Sequence, residues 1–272
     1  MTSLPTPFTS NAEGGKSISR RLRGVLTLGL EALLFLAADL VQRTLVVAVI
    51  WTRPRSRERV LTAWARFVNE MILGLIRVVG GAKVRIVAKI PFEPGTLVLM
   101  NHQSLMDILV ALRCVEGGYP IIVTRGRYAR GYPLISHMVR LYGHPTVRPG
   151  EHAATQLEFL KQATRAATRP VLLYPEGSRS RDGGIRPFKK AGLKAILSTR
   201  RWSVHVLVGD GMFGAAGVGD FVNNVSRTTI RAESAGPFYF DHLKDDADGF
   251  IASMEGLMIR KLAEMRGSKA GA

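Results

Sequence analysis

Apolar residues along the chain first form two long helical runs and then recur in short blocks. Residues 24–51 are almost continuously apolar, and residues 58–80 repeat apolar side chains at helical spacing until Gly80-Gly81. Beyond these, short apolar runs indicate strands between amphipathic helices. We predict strands at residues 83–88, 96–100, 121–123, 171–174, 204–208 and 228–232, and helices at residues 104–114, 133–141, 151–168, 190–197 and 246–265. This alternation predicts an α/β domain whose largely parallel central sheet is flanked by helices.

The apolar segment at residues 24–51 is long enough to cross a bilayer, but it carries a polar stripe. At about 100° per residue, the polar side chains lie within a sector of roughly 160°. They are Thr27, Glu31, Asp39, Gln42 and Arg43. Arginines stand on both sides of the segment. Because basic flanks tend to stay cytoplasmic, we expect a helix or helical hairpin that enters one leaflet from the cytoplasmic face of the cell membrane. A buried core helix and a complete crossing are the alternatives.

These patterns divide the chain into four parts. We predict a disordered N-terminus at residues 1–19, a membrane-associating helical segment at 20–80, an α/β domain at 81–266 and a flexible tail at 267–272. The net charge of +17 indicates anionic partners, which are an anionic membrane surface, an anionic substrate or nucleic acid. Composition alone does not choose among them.

The sequence lacks the motifs of several common kinds of functional site. Cys114 is the only cysteine, so an internal disulfide is excluded, and no Cys/His cluster has zinc spacing. The sequence contains neither the Gly-Lys-Ser/Thr of a P-loop nor the G-x-S-x-G of a serine-nucleophile hydrolase. We therefore predict no metal ion and no bound cofactor.

A histidine and an aspartate follow the apolar strand predicted at residues 96–100. His102 would lie in the strand-to-helix turn and Asp107 in the first turn of the next helix, so the carboxylate can point back at the ring. A carboxylate on one ring nitrogen fixes the tautomer and leaves the other nitrogen as a base. Alternatively, Ser104 and Asp107 form only a capping box at the helix start.

A second polar cluster, Pro175–Gly183, follows the strand predicted at residues 171–174. Ligands of open α/β sheets collect at the carboxyl ends of strands, and both clusters are placed there. The glycines allow a tight turn, and Arg179 offers a planar fork of donors suited to phosphate. Glu176 is placed to hold that guanidinium. A polar surface turn with an exposed ion pair is the alternative.

Together the two clusters resemble the lysophosphatidic acid acyltransferase family, within the wider glycerolipid acyltransferases. That family's first motif, N-H-x-x-x-x-D, is matched in full by Asn101, His102 and Asp107. Its third motif reads F-P-E-G-T-R-S, and residues 174–180 read Y-P-E-G-S-R-S. The P-F-K-K-A-G at residues 187–192 also looks like the family's P-F-K-x-G segment.

The family's other motifs are matched more loosely. Arg125 replaces the lysine that usually begins the second motif, while Gly143 and Arg148 match its Gly…Arg ending. The fourth motif usually reads V-P-V, and here His205 replaces the proline. The resemblance covers about residues 80–210, roughly half of the chain.

The resemblance implies an enzyme that transfers an acyl chain to 1-acylglycerol 3-phosphate and forms phosphatidic acid. His102 would be the general base and Asp107 would orient it. The positions that would bind the phosphate of the acceptor are Arg148, Glu176, Gly177 and Arg179. The expected partners are a lysophospholipid acceptor and acyl-CoA or acyl carrier protein as the co-substrate. The apolar N-terminal segment would hold the enzyme at the membrane where the lysolipid resides.

Other functions remain open at this point. Other acceptors are glycerol 3-phosphate, lyso-ornithine lipid and further lysophospholipids. Residues 209–214 read G-D-G-M-F-G, a formal dinucleotide-binding pattern with Glu233 about 20 residues on. A basic nucleic-acid- or membrane-binding protein is the non-enzymatic alternative, but no nucleic-acid-binding motif is present and we expect no nucleic-acid partner.

Overall fold

The computed structural model describes residues 10–148 and 152–267, and it describes side chains from residue 18 onward. Residues 1–9 of the N-terminus predicted at 1–19 and residues 268–272 of the tail predicted at 267–272 lie outside these residues. The described chain consists of a group of long N-terminal helices followed by an α/β domain.

Three helices form the N-terminal part, and the third packs against the first two. They are α1 (Ser10–Val41), continued by a π-helical turn (Gln42–Val46) into α2 (Val47–Thr52), and α3 (Arg57–Val78). Helices therefore form where we predicted them, at residues 24–51 and 58–80. The disorder predicted for residues 10–19 is wrong, because α1 begins at Ser10. Once a helix is nucleated, each further residue adds a backbone hydrogen bond, so polar side chains do not prevent this extension.

The polar stripe of the N-terminal segment faces the protein rather than the surroundings. Thr27 and Gln42 are fully buried, and Gln42 Oε1 accepts a 2.9 Å hydrogen bond from Trp64 Nε1 on α3. The outer surface is apolar instead. Its exposed side chains include Ile18, Leu22, Val25, Leu26, Leu33, Leu36, Leu40, Leu45 and Trp51. The segment is therefore not a helix of the buried core, which was one alternative.

Six strands form the central sheet in the order β1-β8-β7-β2-β6-β3. All neighbouring strands are parallel except β7 and β8, so the largely parallel sheet predicted from the sequence is confirmed. The strands are β1 (Lys83–Ile86), β2 (Thr96–Met100), β3 (Ile121–Ile122), β6 (Val171–Leu173), β7 (Trp202–Asp210) and β8 (Thr229–Phe240), and a separate parallel pair is formed by β4 (Thr124–Arg125) and β5 (Thr146–Val147). β8 is longer than predicted because it pairs with β7 as far as Phe240, opposite Trp202.

Helices cover both faces of the sheet, and strand β2 shows how. Its side chains alternate between two apolar clusters, with Val98 and Met100 on one face and Leu97 and Leu99 on the other. The first face packs against α4 and the second against α7 and α9. The helices of this domain are α4 (Asp107–Cys114), α5 (Ile135–Leu141), α6 (Ala153–Arg165), α7 (Lys190–Leu197), α8 (Val218–Asn224) and α9 (Ala247–Met265). Glu151, where we predicted one helix to start, lies outside the described residues.

Candidate active site

The two polar clusters lie side by side at the carboxyl end of the sheet. Strands β2 and β6 are neighbours, so the segments that follow them, Asn101–Asp107 and Pro175–Gly183, emerge together. The side chain of Asn101 fixes the first segment to β7, since Nδ2 donates to the Gly209 carbonyl at 2.8 Å and Oδ1 accepts from the Gly209 N–H at 2.7 Å. The backbone of Ser180 then donates to the His102 carbonyl at 2.6 Å, which joins the two segments.

His102 and Asp107 form the pair that the spacing predicts. Nδ1 of the imidazole is 2.7 Å from Asp107 Oδ2. That oxygen also accepts from the backbone N–H groups of Gln103 at 2.6 Å and Ser104 at 2.8 Å. Because a carboxylate faces Nδ1, the neutral ring carries its proton there and its lone pair on Nε2. Within the described residues Nε2 makes no hydrogen bond, so it is placed to accept a proton from a substrate.

The capping-box interpretation of Ser104 and Asp107 is half right. Asp107 does accept from the Ser104 N–H, but Ser104 Oγ accepts from Met106 at 3.3 Å and does not cap the helix. Helix α4 begins at Asp107 and has no side-chain cap. The same carboxylate thus holds the turn and the imidazole.

Burial governs the electrostatics of the two carboxylates at the site. Asp107 is 0% exposed, and this burial raises the pKa of its carboxyl, while the hydrogen bond from His102 and the two backbone N–H donors oppose the rise. Burial likewise raises the pKa of Glu176, while the hydrogen bonds from two backbone N–H groups lower it. Both groups therefore depend on their hydrogen bonds to remain ionised.

Glu176 has a different role from the one predicted. It is 1% exposed, and its oxygens accept from the backbone N–H of His102 at 2.7 Å and of Arg186 at 2.8 Å. The pairing with Arg179 predicted from the sequence is wrong, because both carboxylate oxygens are committed to these backbone donors. Glu176 therefore joins the two loops, and its place in the phosphate site of the acceptor stays a prediction.

Cationic side chains surround the turn at Gly177-Ser178. Gly177 has φ +67, and a Cβ there would lie 2.7 Å from Lys189 Cδ, so glycine is needed for both conformation and space. Arg125 donates to the Gly177 carbonyl at 2.7 Å, and Arg186 donates to Ser178 Oγ. These contacts place three cations around one turn, beside the loop that carries His102.

The other two predicted arginines lie on either side of this turn. Arg148 is exposed and directly follows β5. Its side chain lies against Gly126, at the position that a Cβ of that residue would occupy. Gly126 follows Arg125 of β4, the strand that pairs with β5. Arg179 donates from Nη1 to the Ala216 carbonyl at 3.3 Å, which directs it toward the segment after β7. The structure thus brings Arg125 to the site as well. The sequence already pointed to Arg125, because this residue stands where the second motif of the family usually has a lysine.

The dinucleotide alternative is contradicted by the topology. Gly209 and Asp210 end strand β7, and the next strand, β8, is antiparallel to it, so no parallel βαβ unit follows. The Asp210 carboxylate is paired with Arg231 at 2.6 Å and Arg266 at 2.8 Å. Among the described side chains, no three or more histidine, cysteine, aspartate or glutamate residues are grouped to hold a metal ion.

The chain is similar to known acyltransferases. The acyltransferase family model matches residues 81–213. The 1-acyl-sn-glycerol-3-phosphate acyltransferase of Cocos nucifera is 30% identical over 105 residues, which are 38% of this chain and 33% of that protein. The protein of the same name from Limnanthes douglasii is 25% identical over 134 residues, 48% of this chain and 47% of that protein. The chain therefore spans about a third to a half of the length of these curated relatives.

One solved structure shares the architecture of the chain. It is the crystal structure of the 1-acyl-sn-glycerophosphate (LPA) acyltransferase PlsC from Thermotoga maritima, with a TM-score of 0.66 and 19% sequence identity. The match covers 92% of this chain and 100% of that chain. At this identity the match establishes the fold, and the fold includes the N-terminal helical part.

Proposed function

We propose that the protein acylates the sn-2 hydroxyl of 1-acyl-sn-glycerol 3-phosphate, because the acyltransferase family model matches residues 81–213 and the similar proteins carry that name. The product is phosphatidic acid, a precursor of phospholipids. One observation carries the proposal: the imidazole of His102 is oriented by Asp107 at 2.7 Å and lies beside a turn surrounded by arginines. A base for a hydroxyl and a site for a phosphate are the two requirements of this acceptor.

The reaction follows from the orientation of the imidazole. Nε2 of His102 removes the proton of the acceptor hydroxyl as that oxygen attacks the thioester carbonyl. The Asp107 carboxylate stabilises the imidazolium that forms. The tetrahedral intermediate then expels the thiolate, which takes the proton from His102, so the ester and the free thiol are released and the base is regenerated. The attack is direct and uses no enzyme nucleophile, in agreement with the absence of a G-x-S-x-G elbow from the sequence.

The acceptor's phosphate is bound by the arginines near the Gly177 turn. Arg125, Arg148 and Arg179 supply charge-assisted donors, and Gly177 allows the backbone to come close. Glu176 contributes indirectly, because it fastens the His102 loop to the Arg186 backbone and so fixes the distance between base and phosphate site. Lys189 is exposed next to Gly177 and faces the phosphates of the donor, acyl-CoA or acyl carrier protein, whereas Lys190 pairs with Asp248 at 3.7 Å.

The acceptor is tested with a panel of hydroxyl compounds and a labelled acyl thioester, supplied once as acyl-CoA and once as acyl carrier protein. The panel contains 1-acylglycerol 3-phosphate, glycerol 3-phosphate, 1-acylglycerol, lyso-ornithine lipid and 1-acylglycerophosphocholine. We expect the highest kcat/KM for 1-acylglycerol 3-phosphate. Faster transfer to 1-acylglycerol would contradict the phosphate site, and faster transfer to glycerol 3-phosphate or another lysolipid would assign a different acceptor.

Replacing Arg179 by alanine is expected to raise KM for 1-acylglycerol 3-phosphate by roughly 10- to 100-fold, because a hydrogen bond between charged groups is lost. The matched control is Arg201→Ala, since Arg201 pairs with Asp241 near the opposite end of β7. Initial rates with 1-acylglycerol supply the second comparison. An equal loss with the acceptor that lacks phosphate would remove Arg179 from the phosphate site.

The N-terminal helices hold the protein on the cytoplasmic face of the membrane as a monotopic or peripheral protein. Among the described residues one helix, Ile18–Thr52, is long and apolar enough to cross a bilayer by length and composition. Gln42 on its polar stripe contacts Leu134 and His137 of the α/β domain, and the large side chains that remain exposed on the helix are mostly apolar and available to lipid. The arginines at both ends and the net charge of +17 favour an anionic membrane surface. The lysolipid and the product reside in that same surface.

Replacing Leu33, Leu36 and Leu40 together by serine is expected to reduce binding to anionic vesicles at least tenfold, because each buried leucine contributes about 1.5–3 kcal/mol. These side chains are exposed in the protein, so the thermal midpoint should hardly change. Leu243→Ser is the control, because Leu243 is equally exposed in the turn after β8. Unchanged sedimentation of the triple variant with vesicles of phosphatidylglycerol and phosphatidylethanolamine would contradict this membrane face.

A further inference from the structure

Tyr174 forms the wall against which the imidazole of His102 lies. The two rings are stacked, with centroids 4.3 Å apart and planes at 26°. Tyr174 directly follows the last residue of β6, Leu173, and precedes the loop that carries Glu176, so the end of the strand places it. Stacking restricts rotation of the imidazole about an axis that the hydrogen bond to Asp107 leaves free. The tyrosine ring is therefore a second constraint on the orientation of the base.

Two buried polar atoms near this stack have no hydrogen-bond partner among the described residues. They are the hydroxyl of Tyr174 and Oδ1 of Asp107. Burial, and then the charges of Asp107 and Cys114, raise the pKa of Tyr174 well above its ordinary value, so the hydroxyl keeps its proton. The side chain packs against the apolar cluster that contains the buried side of α4. Asp107 and Cys114 both lie on that buried side. A donor and an acceptor that both lack partners therefore belong to one small region.

We propose that Tyr174 is a positioning residue for the base, its ring holding the imidazole of His102 and its hydroxyl donating through one water to Oδ1 of Asp107. The proposal rests on the proposed acyl transfer for its role in catalysis. Oδ2 of Asp107 already accepts from three donors. A fourth hydrogen bond on Oδ1 stabilises the ionised carboxylate, which otherwise carries its charge in an apolar surrounding.

The donated hydrogen bond has a predictable effect on pH dependence. The catalytic form is neutral His102 beside ionised Asp107. Burial makes the ionised carboxylate of Asp107 costly. If a hydrogen-bond donor to this carboxylate is removed, the pair binds an additional proton more tightly. The acidic limb of kcat/KM then moves to higher pH. The other titratable groups that face the pair are Glu176, from the loop after β6, and Cys114, from α4. They are the same in the variant, so the shift reports on Tyr174.

The test compares Tyr174→Phe, which keeps the ring, with Tyr174→Leu, which removes it. In Tyr174→Phe we expect the acidic limb of kcat/KM to move upward by about one pH unit, the size of one hydrogen bond to a charged group, with little change on the high-pH plateau. In Tyr174→Leu we expect the same shift and, in addition, a lower plateau. Tyr142→Phe is the matched control, because Tyr142 is buried and its hydroxyl donates to the Leu61 carbonyl at 2.9 Å, away from the pair.

A second readout keeps the proposal separate from the proposed function. The ring nitrogens of His102 are followed by NMR in histidine-labelled protein, without any substrate. We expect the titration midpoint of this signal to rise in Tyr174→Phe and to stay in place in Tyr142→Phe, even if the acyl acceptor proves to be a different one. An unchanged midpoint and acidic limb in folded Tyr174→Phe, or a uniform loss of activity at all pH values, would overturn the role of the hydroxyl.

Discussion

Replacing His102 by alanine lowers kcat by about a thousandfold or more, since general-base catalysis contributes roughly 10²–10⁴-fold and no neighbouring group can take its place. The fold is expected to survive. The side chain of His102 lies at the mouth of the site, and the backbone contacts of this residue with Glu176 and Ser180 do not involve the ring. Initial rates of phosphatidic acid formation and a thermal melt of the same preparation measure both effects.

The control for this variant is another histidine. His242 lies after β8, 3.8 Å from Asp241, and has no contact with the site. We expect His242→Ala to keep the rate of the wild type. Turnover of His102→Ala within tenfold of the wild type would remove His102 from its role as the base, because that loss is below the range of general-base catalysis.

Replacing Asp107 by asparagine lowers kcat by about a hundredfold or more, although the side chain keeps its size. We expect the carboxamide oxygen at the position of Oδ2, because Nδ1 of His102 and the backbone N–H groups of Gln103 and Ser104 all face that one oxygen. The hydrogen bonds are then kept, but the negative charge that stabilises the imidazolium in the transition state is lost.

Varying the pH separates this loss from a change in the protonation of the free base. The imidazolium of the transition state lacks its counter-charge at every pH, so raising the pH should not restore the activity of Asp107→Asn. Recovery of the wild-type rate at high pH would contradict stabilisation of the transition state by Asp107. The thermal melt is a necessary companion, because removal of a buried carboxylate also changes stability.

The sequence predicted the reacting pair because that pair is local. His102 and Asp107 are five residues apart at a strand-to-helix turn, and their meeting depends only on the turn. The side-by-side placement of the two loops was also predictable, since parallel strands bring their carboxyl ends to one edge of the sheet. The apolar runs marked those strands with little ambiguity.

What the sequence did not predict depends on contacts between distant residues. Glu176 was paired with Arg179 because the two are close in sequence, but its oxygens are taken by the backbone of His102 and Arg186, which only the folded loops present. The direction of the polar stripe on α1 was ambiguous for a similar reason. Periodicity shows that Thr27 and Gln42 share a side, but which side is buried depends on contacts of Gln42 with Trp64 and Leu134, which are distant in sequence.

The stacking of Tyr174 on His102 is another contact between distant residues that the sequence did not predict. Periodicity placed Tyr174 at the end of a buried strand, where an aromatic residue is ordinary. Its contact with the imidazole arises because β2 and β6 are adjacent and end at the same level. A role for the hydroxyl becomes visible only when the unpartnered oxygen of Asp107 is located in space.

Direct transfer by a base-activated hydroxyl is tested most directly by a single-turnover experiment. Excess pure protein is mixed with a labelled acyl thioester, with and without 1-acylglycerol 3-phosphate, and the label on protein and lipid is followed in time. We expect that the label passes straight to the lysolipid and that none is attached to the protein when the acceptor is omitted. A covalently acylated protein that forms and decays as fast as phosphatidic acid appears would contradict it.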